Sequence, residues 1–340
     1  MKYIGLDAHS RECVFVVLGK NGKTLRRATV ATKETELLTF VRSVKGKKAL
    51  TFEEGTMSQW LYLLLVKEVN ELIVCQPKER QGPKTDEIDA GEIADLLRVG
   101  RLKAVFHSDS AFMDLRTLIS GYEDVIVELV RAKNRYKALF RQVGIPATGS
   151  KVYGSEEMLP LLKTDTQIYV ACTLFEQIDL LEKQREGYFE RFEANVRKYK
   201  PIKLLTSIPG IGPVRANQIV GVVVTPHRFP SKYKFFSYSM LTKHIQTSGG
   251  KSYGNKRAHG QVVLKTAFKS AAISTLRSKN AFRRKYDSMR ESGSDDRAAR
   301  NAVAKKIAAT VLGVWKSGQK YNDKHKEVTR RRSQNCHSGV

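Results

Sequence analysis

The segment from Lys84 to Arg98 reads KTDEIDAGEIADLLR, with Asp86 and Asp89 three residues apart. On a helix that spacing projects both carboxylates from one face. Two carboxylates so close repel each other unless a cation lies between them, and oxygen-only ligands favour Mg²⁺ or Mn²⁺. Two further acids, Asp7 and Glu53, each close a short apolar run. In open α/β sheets, sites form outside the carboxyl ends of strands, so these four acids can converge from separate parts of the chain. On a basic protein such a set fits a two-metal phosphodiester site, where ions hold the attacking and leaving oxygens. Glu54 competes with Glu53 for the second position; Glu53 directly follows the strand residue Phe52 and is preferred. The plainer reading makes Asp86 a helix cap and Asp89 a solvated surface acid.

Positioning these acids requires a sheet. Tyr3 to Asp7, Cys13 to Leu18 and Thr24 to Val30 read as three strands, with Asn21-Gly22 as a hairpin turn between the last two. Thr32 to Val44 has helical spacing, Ala49 to Phe52 is strand-like, Met57 to Val69 helical and Leu72 to Cys75 strand-like. A loop from Gln76 to Lys84 leads into the acidic helix, which Thr85 or Asp86 can cap. The order of strands and helices predicts an antiparallel meander continuing into a mixed sheet with helices on both faces.

The 340 residues carry 60 Lys plus Arg against 34 Asp plus Glu, a formal net charge of +26. An excess of that size repels itself unless a polyanion is the partner, and nucleic acid is the first candidate, ahead of an anionic membrane surface. A hydrophobic content of 41% supports packed cores and excludes a disordered chain. No apolar run is long enough to span a bilayer, and MKYIGLDAHS lacks the apolar core of a signal peptide. Cys13, Cys75, Cys172 and Cys336 are scattered with no CxxC pair, which suggests neither a disulfide framework nor a zinc site and fits a reducing cytoplasm.

Ser110 to Gln142 and Glu156 to Tyr199 read as long helices. In the second, Leu174, Ile178, Leu181, Arg185, Tyr188 and Phe192 make a heptad-like seam, either a dimer contact or the inside of a helical hairpin. Arg131, Lys133, Arg135, Lys137 and Arg141 could meet a phosphate backbone or simply face solvent. Ser207 to Pro213 (SIPGIGP) has the form of a helix-hairpin-helix turn. Its glycines Gly210 and Gly212 would bring backbone N–H groups to a phosphate, or would only join two packed helices. Ser248 to Arg257 (SGGKSYGNKR) is a basic Gly-rich stretch. It either grips phosphates through Lys251, Lys256 and Arg257 or presents Ser248 as a nucleophile, with Thr247 and Ser252 as competing hydroxyls. Arg277 to Arg300 is densely charged, Ala302 to Trp315 reads as an amphipathic helix, and the tail after Gly318 contains Arg330-Arg331-Arg332.

GLDAHS, FEEGTMSQWLY and KTDEIDAGEIADLL resemble, in order and spacing, the three blocks of the DEDD transposases of bacterial insertion sequences. Ser248 before Gly249-Gly250-Lys251 is similar to the second signature of that family, with departures around Asn255 to Gly260 that leave the register of the lysines open. The resemblance covers residues 1 to about 107 and about 200 to 315. It implies a RuvC-like domain of the α/β ribonuclease H-like fold over 1–107, a helical coiled-coil-like spacer over 108–200, and a mainly α transposase domain over 201–318. A basic tail follows over 319–340. It further implies Mg²⁺ (or Mn²⁺) at Asp7, Glu53, Asp86 and Asp89, and Ser248 forming a covalent phosphoserine with a DNA end. The two domains would share one composite site, in a homo-oligomer (dimer or tetramer). A structured non-coding guide RNA pairing with donor and target DNA is implied too. The competing functions are a structure-specific nuclease resembling Holliday-junction resolvases, which needs the acids but no serine, and a non-catalytic nucleic-acid-binding protein.

Overall fold

The computed structural model of the chain describes residues 1–77, 86–149, 151–153, 156–249, 251–257 and 260–323. The chain forms two compact units, Met1–Ser110 and Ala111–Val340.

The first unit opens with the expected meander, β1 (Lys2–Ala8), β2 (Glu12–Leu18) and β3 (Thr24–Ala31), paired antiparallel. Gly22, at the turn between β2 and β3, has φ +81°, the left-handed conformation that an Asn-Gly hairpin turn requires. Then come α1 (Glu34–Ser43), β4 (Lys48–Glu53), α2 (Ser58–Leu65), β5 (Glu71–Cys75), α3 (Asp86–Arg98) and β6 (Ala104–Val105). The six strands lie in the order β3-β2-β1-β4-β5-β6, with β4 and β5 parallel to β1 and β6 antiparallel to β5. This mixed sheet, followed by a mostly helical remainder, is compatible with the ribonuclease H-like expectation. Two residues are too few to carry a periodicity, so β6 has no signature in the sequence.

Alternation along the strands divides the unit into layers. Ile4, Leu6, Phe15, Val17, Leu50 and Phe52 face one way and are buried with Leu37, Phe40 and Val41 of α1 and Leu61 and Leu65 of α2. Val14, Val16 and Leu18 face the other way, against Ala90 and Ala94 of α3. The residues of α3 that meet the sheet are small because the helix lies close to it. At Gly5 a Cβ would overlap the carbonyl oxygen of Ala90, so β1 can carry no side chain there.

The second unit starts with a short 3₁₀ turn (Ala111–Met113) and two long helices, α4 (Asp114–Gln142) and α5 (Asp165–Lys198). They run antiparallel: Tyr136 of α4 meets Phe175 of α5, and Tyr122 meets Phe192. The sequence expectation placed the start of the second helix near Glu156. The segment Glu156–Leu161 is instead a 3₁₀ turn holding Pro160, and α5 begins after Thr164, whose hydroxyl accepts from the N–H of Gln167 at 3.2 Å. Proline removes the N–H a longer helix would need, and the threonine supplies a new cap. The seam residues Ile178, Leu181 and Phe192 are buried inside the unit, with Ile178 and Leu181 packed among Leu129, Ala132, Tyr136 and Phe140 of α4. The inside of a helical hairpin is therefore what the seam forms.

Beyond the hairpin come α6 (Lys200–Leu205), α7 (Pro213–Val223), α8 (Lys232–Tyr238), the ribbon β7 (Lys243–Ser248) with β8 (Lys251–Arg257), α9 (Val262–Thr275), α10 (Ala281–Glu291) and α11 (Asp296–Ser317). Leu115 and Ile119 of α4 and Phe192 of α5 share one core with α6 to α11, so the base of the helical hairpin and the C-terminal helices form one packed body. After α11 the chain returns to the turn between α6 and α7. The Tyr321 N–H donates to the Ser207 hydroxyl at 3.0 Å, and the Tyr321 hydroxyl donates to Asp323 at 2.7 Å. Burial, then this bond to Asp323, pushes the Tyr321 phenol far above its ordinary range. The basic tail from Lys324 lies outside the described residues.

Candidate metal centre and serine hairpin

Asp7 is the penultimate residue of β1 and Glu53 the last of β4. The parallel register pairs Leu6 with Phe52, so Asp7 and Glu53 are the next step on neighbouring strands. By alternation Asp7 shares a face with Gly5, and Glu53 with the buried Thr51, the face that α3 covers. Asp86 is the first residue of α3 and Asp89 lies one turn on, largely buried. Strand ends and a helix start thus bring Asp7, Glu53 and Asp86 to one edge of the first unit, with Asp89 one turn further along the helix. Lys84 and Thr85, part of the expected helix start, lie outside the described residues.

The tightest grouping at this edge differs from the four acids read in the sequence. Among the described residues, Asp7, His9 and Asp86 have donor atoms within 4.8 Å of one another; Glu53 and Asp89 stand outside that trio. The His9 Nε2 lies 3.2 Å from Asp7 Oδ2 and 3.4 Å from Asp86 Oδ1. The backbone fixes His9 at the turn after β1: its N–H donates to the Glu12 carbonyl at 3.1 Å and its carbonyl accepts from the Thr32 hydroxyl at 2.7 Å. Its side chain is 52% exposed, Asp7 22% and Asp86 53%, so the trio opens to solvent. Two carboxylates and an imidazole converging at an open edge are a donor set that fits a divalent metal ion. The sequence reading included His9 in the block GLDAHS but gave it no role, because it lies past the end of β1, where period-two alternation no longer tells where a side chain points.

Glu54 has a different environment from Glu53. Its Oε2 lies 2.6 Å from Nε2 of His107, whose side chain is only 3% exposed. The other ring nitrogen of His107 meets Gln59 Oε1 at 2.8 Å, and Gln59 Nε2 donates to the Ser108 carbonyl at 2.9 Å. The turn between them is tied as well, with the Gly55 N–H donating to the Ser58 hydroxyl at 2.6 Å. Glu54 is thus held to the segment after β6, while strand alternation places Glu53 on the α3 side. No local sequence pattern marks His107, since its partners are about fifty residues away.

Ser248 belongs to the second unit. It is the last residue of β7 and pairs with Lys251, the first of β8, across a tight turn whose Gly249 has φ +55°. A basic Gly-rich loop was expected; the structure makes it the tip of a β-ribbon. KHIQTS and KSYGNKR have almost no apolar residues, so the alternation that marks a strand is missing. Gly250 lies outside the described residues, as do the side chains of Thr247, Ser248, Ser252, Lys256 and Arg257. Lys251 is exposed, and Tyr253 is 69% exposed.

The turn between α6 and α7 places its two glycines differently. Gly210 has φ +82°, and a Cβ there would stand 2.7 Å from the Ala271 carbonyl of α9, so this glycine is fixed by packing. Gly212 precedes α7 as its cap residue, in an extended conformation with open space beside it. Arg215 donates to the Gly210 carbonyl at 2.8 Å, and burial holds its guanidinium below its ordinary value. Of the cations on the long helices, Arg131 pairs with Glu128 and Lys133 with Glu182, while Arg141 donates to the Ala147 carbonyl. Surface pairs of this kind are weak, so they do not preclude a phosphate contact. No helix among the described residues is long and apolar enough to cross a membrane.

Comparison with known proteins follows the same division of the chain. A family model of DEDD transposases of the IS110 type, described as Transposase, matches residues 4–145. A second, described as Transposase IS116/IS110/IS902 family, matches residues 202–287. The chain is also 22% identical over 295 residues to the insertion element IS110 uncharacterized 43.6 kDa protein of Streptomyces coelicolor, covering 71% of this chain and 73% of that protein. The first match contains the acidic edge and the second contains the serine ribbon, so both halves give one answer: the chain belongs to the DEDD transposases of insertion sequences and is an enzyme of DNA transposition.

Proposed function

We propose that this transposase cuts and exchanges DNA strands with Mg²⁺ (or Mn²⁺) held by Asp7, Glu53, Asp86 and Asp89 and with Ser248 as the nucleophile. The observation that carries the reading is the delivery of Asp7 and Asp86, from a strand end and a helix start, into one trio with donor atoms within 4.8 Å. Bound ions would supply Lewis-acid stabilisation of the phosphodiester in transit. Asp7 and Asp86 would supply ligand oxygens to such an ion, and Glu53, next to Asp7 across β1 and β4, would complete the carboxylate set with Asp89. Lys251, opposite Ser248 on the ribbon, offsets phosphate charge, helped by Lys256 and Arg257. The Ser248 hydroxyl gives up its proton as its oxygen bonds to phosphorus, and the departing DNA oxygen keeps the electron pair of the broken P–O bond and takes up a proton, leaving a phosphoserine that strand exchange then resolves.

The finer organisation in this reading is a RuvC-like domain over 1–107, a spacer over 108–200 and a transposase domain over 201–318. Gly210 and Gly212 contribute a helix-hairpin-helix contact to the DNA backbone. A structured non-coding RNA guides the enzyme to donor and target DNA, and the active form is a dimer or tetramer. The net charge of +26 is consistent with binding that much polyanion at once.

The test is a denaturing gel of full-length protein incubated with labelled DNA, Mg²⁺ and its RNA. Wild-type protein gives a shifted protein–DNA band. Ser248→Ala loses the band while binding DNA as before. Asp7→Ala loses cleavage by several kcal/mol, roughly a thousand-fold, with the fold retained. A band persisting in Ser248→Ala assigns the nucleophile to another hydroxyl, Thr247 or Ser252 first. Cleavage by wild-type protein without any band favours the resolvase-like alternative.

A further inference from the structure

We propose that His9 is a direct nitrogen ligand of the ion held by Asp7 and Asp86, and that it shifts this position's preference from Mg²⁺ towards Mn²⁺. The inference builds on the acidic edge as a metal site and adds a ligand that is not a carboxylate.

Three observations carry it. The first is spacing. Donor atoms at about 2.1 Å from a shared ion stand ~3.0 Å apart across an octahedral edge and ~3.4 Å apart in a tetrahedron. The His9 Nε2 is 3.2 Å from Asp7 Oδ2, a contact that also serves as a hydrogen bond, and 3.4 Å from Asp86 Oδ1, so the ring stands from each carboxylate at a spacing that suits two donors of one ion. The second is fixation. The His9 backbone is pinned on both sides, by Glu12 and by Thr32, so the ring is presented from a rigid turn. A ligand held in place before binding loses little freedom when the ion arrives. The third is access. His9 and Asp86 are each about half exposed, so an ion can enter from water without the sheet opening.

Ligand type then decides selectivity. Mg²⁺ is a hard ion that favours oxygen and gives up its water reluctantly, whereas imidazole suits transition-metal ions. Replacing one oxygen position by a nitrogen therefore costs Mg²⁺ more than Mn²⁺. A carboxylate-only edge would carry no such bias.

The test uses full-length protein. Mn²⁺ and Mg²⁺ affinities are measured by titration calorimetry, and pulsed electron spin resonance of bound Mn²⁺ reads nitrogen modulation directly. Wild-type protein should show that modulation, and His9→Ala and His9→Asn should both lose it. Both variants should also lower Mn²⁺ affinity by about tenfold or more, at least what loss of an outer-shell partner costs, and lower Mg²⁺ affinity less, so that the ratio of the two falls. Circular dichroism should be unchanged, since His9 is a surface side chain. Bound Mn²⁺ that shows no nitrogen modulation in wild-type protein, or that keeps it in His9→Ala, overturns the role of His9 alone. Mn²⁺ binding that is absent from wild-type protein, or that survives Asp7→Ala undiminished, overturns the metal site itself.

Discussion

At the scale of single residues, the choice between Glu53 and Glu54 shows how two adjacent, chemically identical side chains acquire different roles. A strand turns successive residues to opposite faces, so at the end of β4 only one of the pair can share a face with Asp7. Glu54 is instead bonded to His107, and through it to Gln59 and Ser108. The expected outcome is a split. Glu53→Gln removes a charge from the proposed ligand set and should abolish cleavage with little effect on melting. Glu54→Gln weakens a hydrogen bond to a buried ring and should cost about 1 kcal/mol of stability while cleavage survives. Parallel cleavage assays and thermal melts of the two variants check this; a Glu54→Gln variant that is stable but inactive would transfer the site role to Glu54. The sequence left both residues open because a one-residue slip in the end of a strand is invisible in its apolar run.

At the scale of elements, the contact between β1 and α3 sets where the acids meet. Gly5 lies two residues before Asp7 on the same face, directly under Ala90, which is one residue after Asp89. Gly5→Val would force the helix off the sheet at the point where it carries the acids. Overpacking of this kind costs about 1–3 kcal/mol. The variant should also lose any rise in melting temperature that Mg²⁺ gives the wild-type protein, because Asp86 would no longer reach Asp7. Melting curves with and without Mg²⁺ measure both effects. Much of this layer was legible beforehand. Alternating apolar strands and the Asn21-Gly22 turn declared themselves. What stayed hidden was whatever breaks periodicity. Pro160 moves the start of α5, β7 and β8 are polar strands, and His9 lies in a turn. The seam from Leu174 to Phe192 was readable as apolar, but its partner, α4 of the same chain, was not, since one stripe packs equally well against a copy or a neighbour.

At the scale of the whole molecule, the two units have separate cores, one around Phe15 and Phe52 and the other around Phe192, Phe235 and Phe268. Each core can unfold as its own cooperative step. A ligand that binds only the native form of one unit raises only that unit's transition. Scanning calorimetry should therefore show two transitions, with Mg²⁺ raising the one that Asp7→Ala also affects and leaving the other in place. An equal rise of both would place a metal site in the second unit as well. The second unit's long helices add reach: α5, with 34 residues, is about 51 Å long at 1.5 Å per residue, or about one and a half turns of B-form DNA.

The register of the central sheet pairs Glu53 with Cys75, the last residue of β5. That thiol is buried, and burial, ahead of the nearby Glu53 charge, pushes it up and away from the reactive thiolate. Cys75 shares a face of the sheet with Glu53, so an alkylating reagent reaches it only when the layer covering that face opens. Cys75 is thus a built-in chemical clock beside the acidic edge. The rate at which Cys75 itself is alkylated counts how often that layer opens next to Glu53, and it does so without a residue being introduced into the protein.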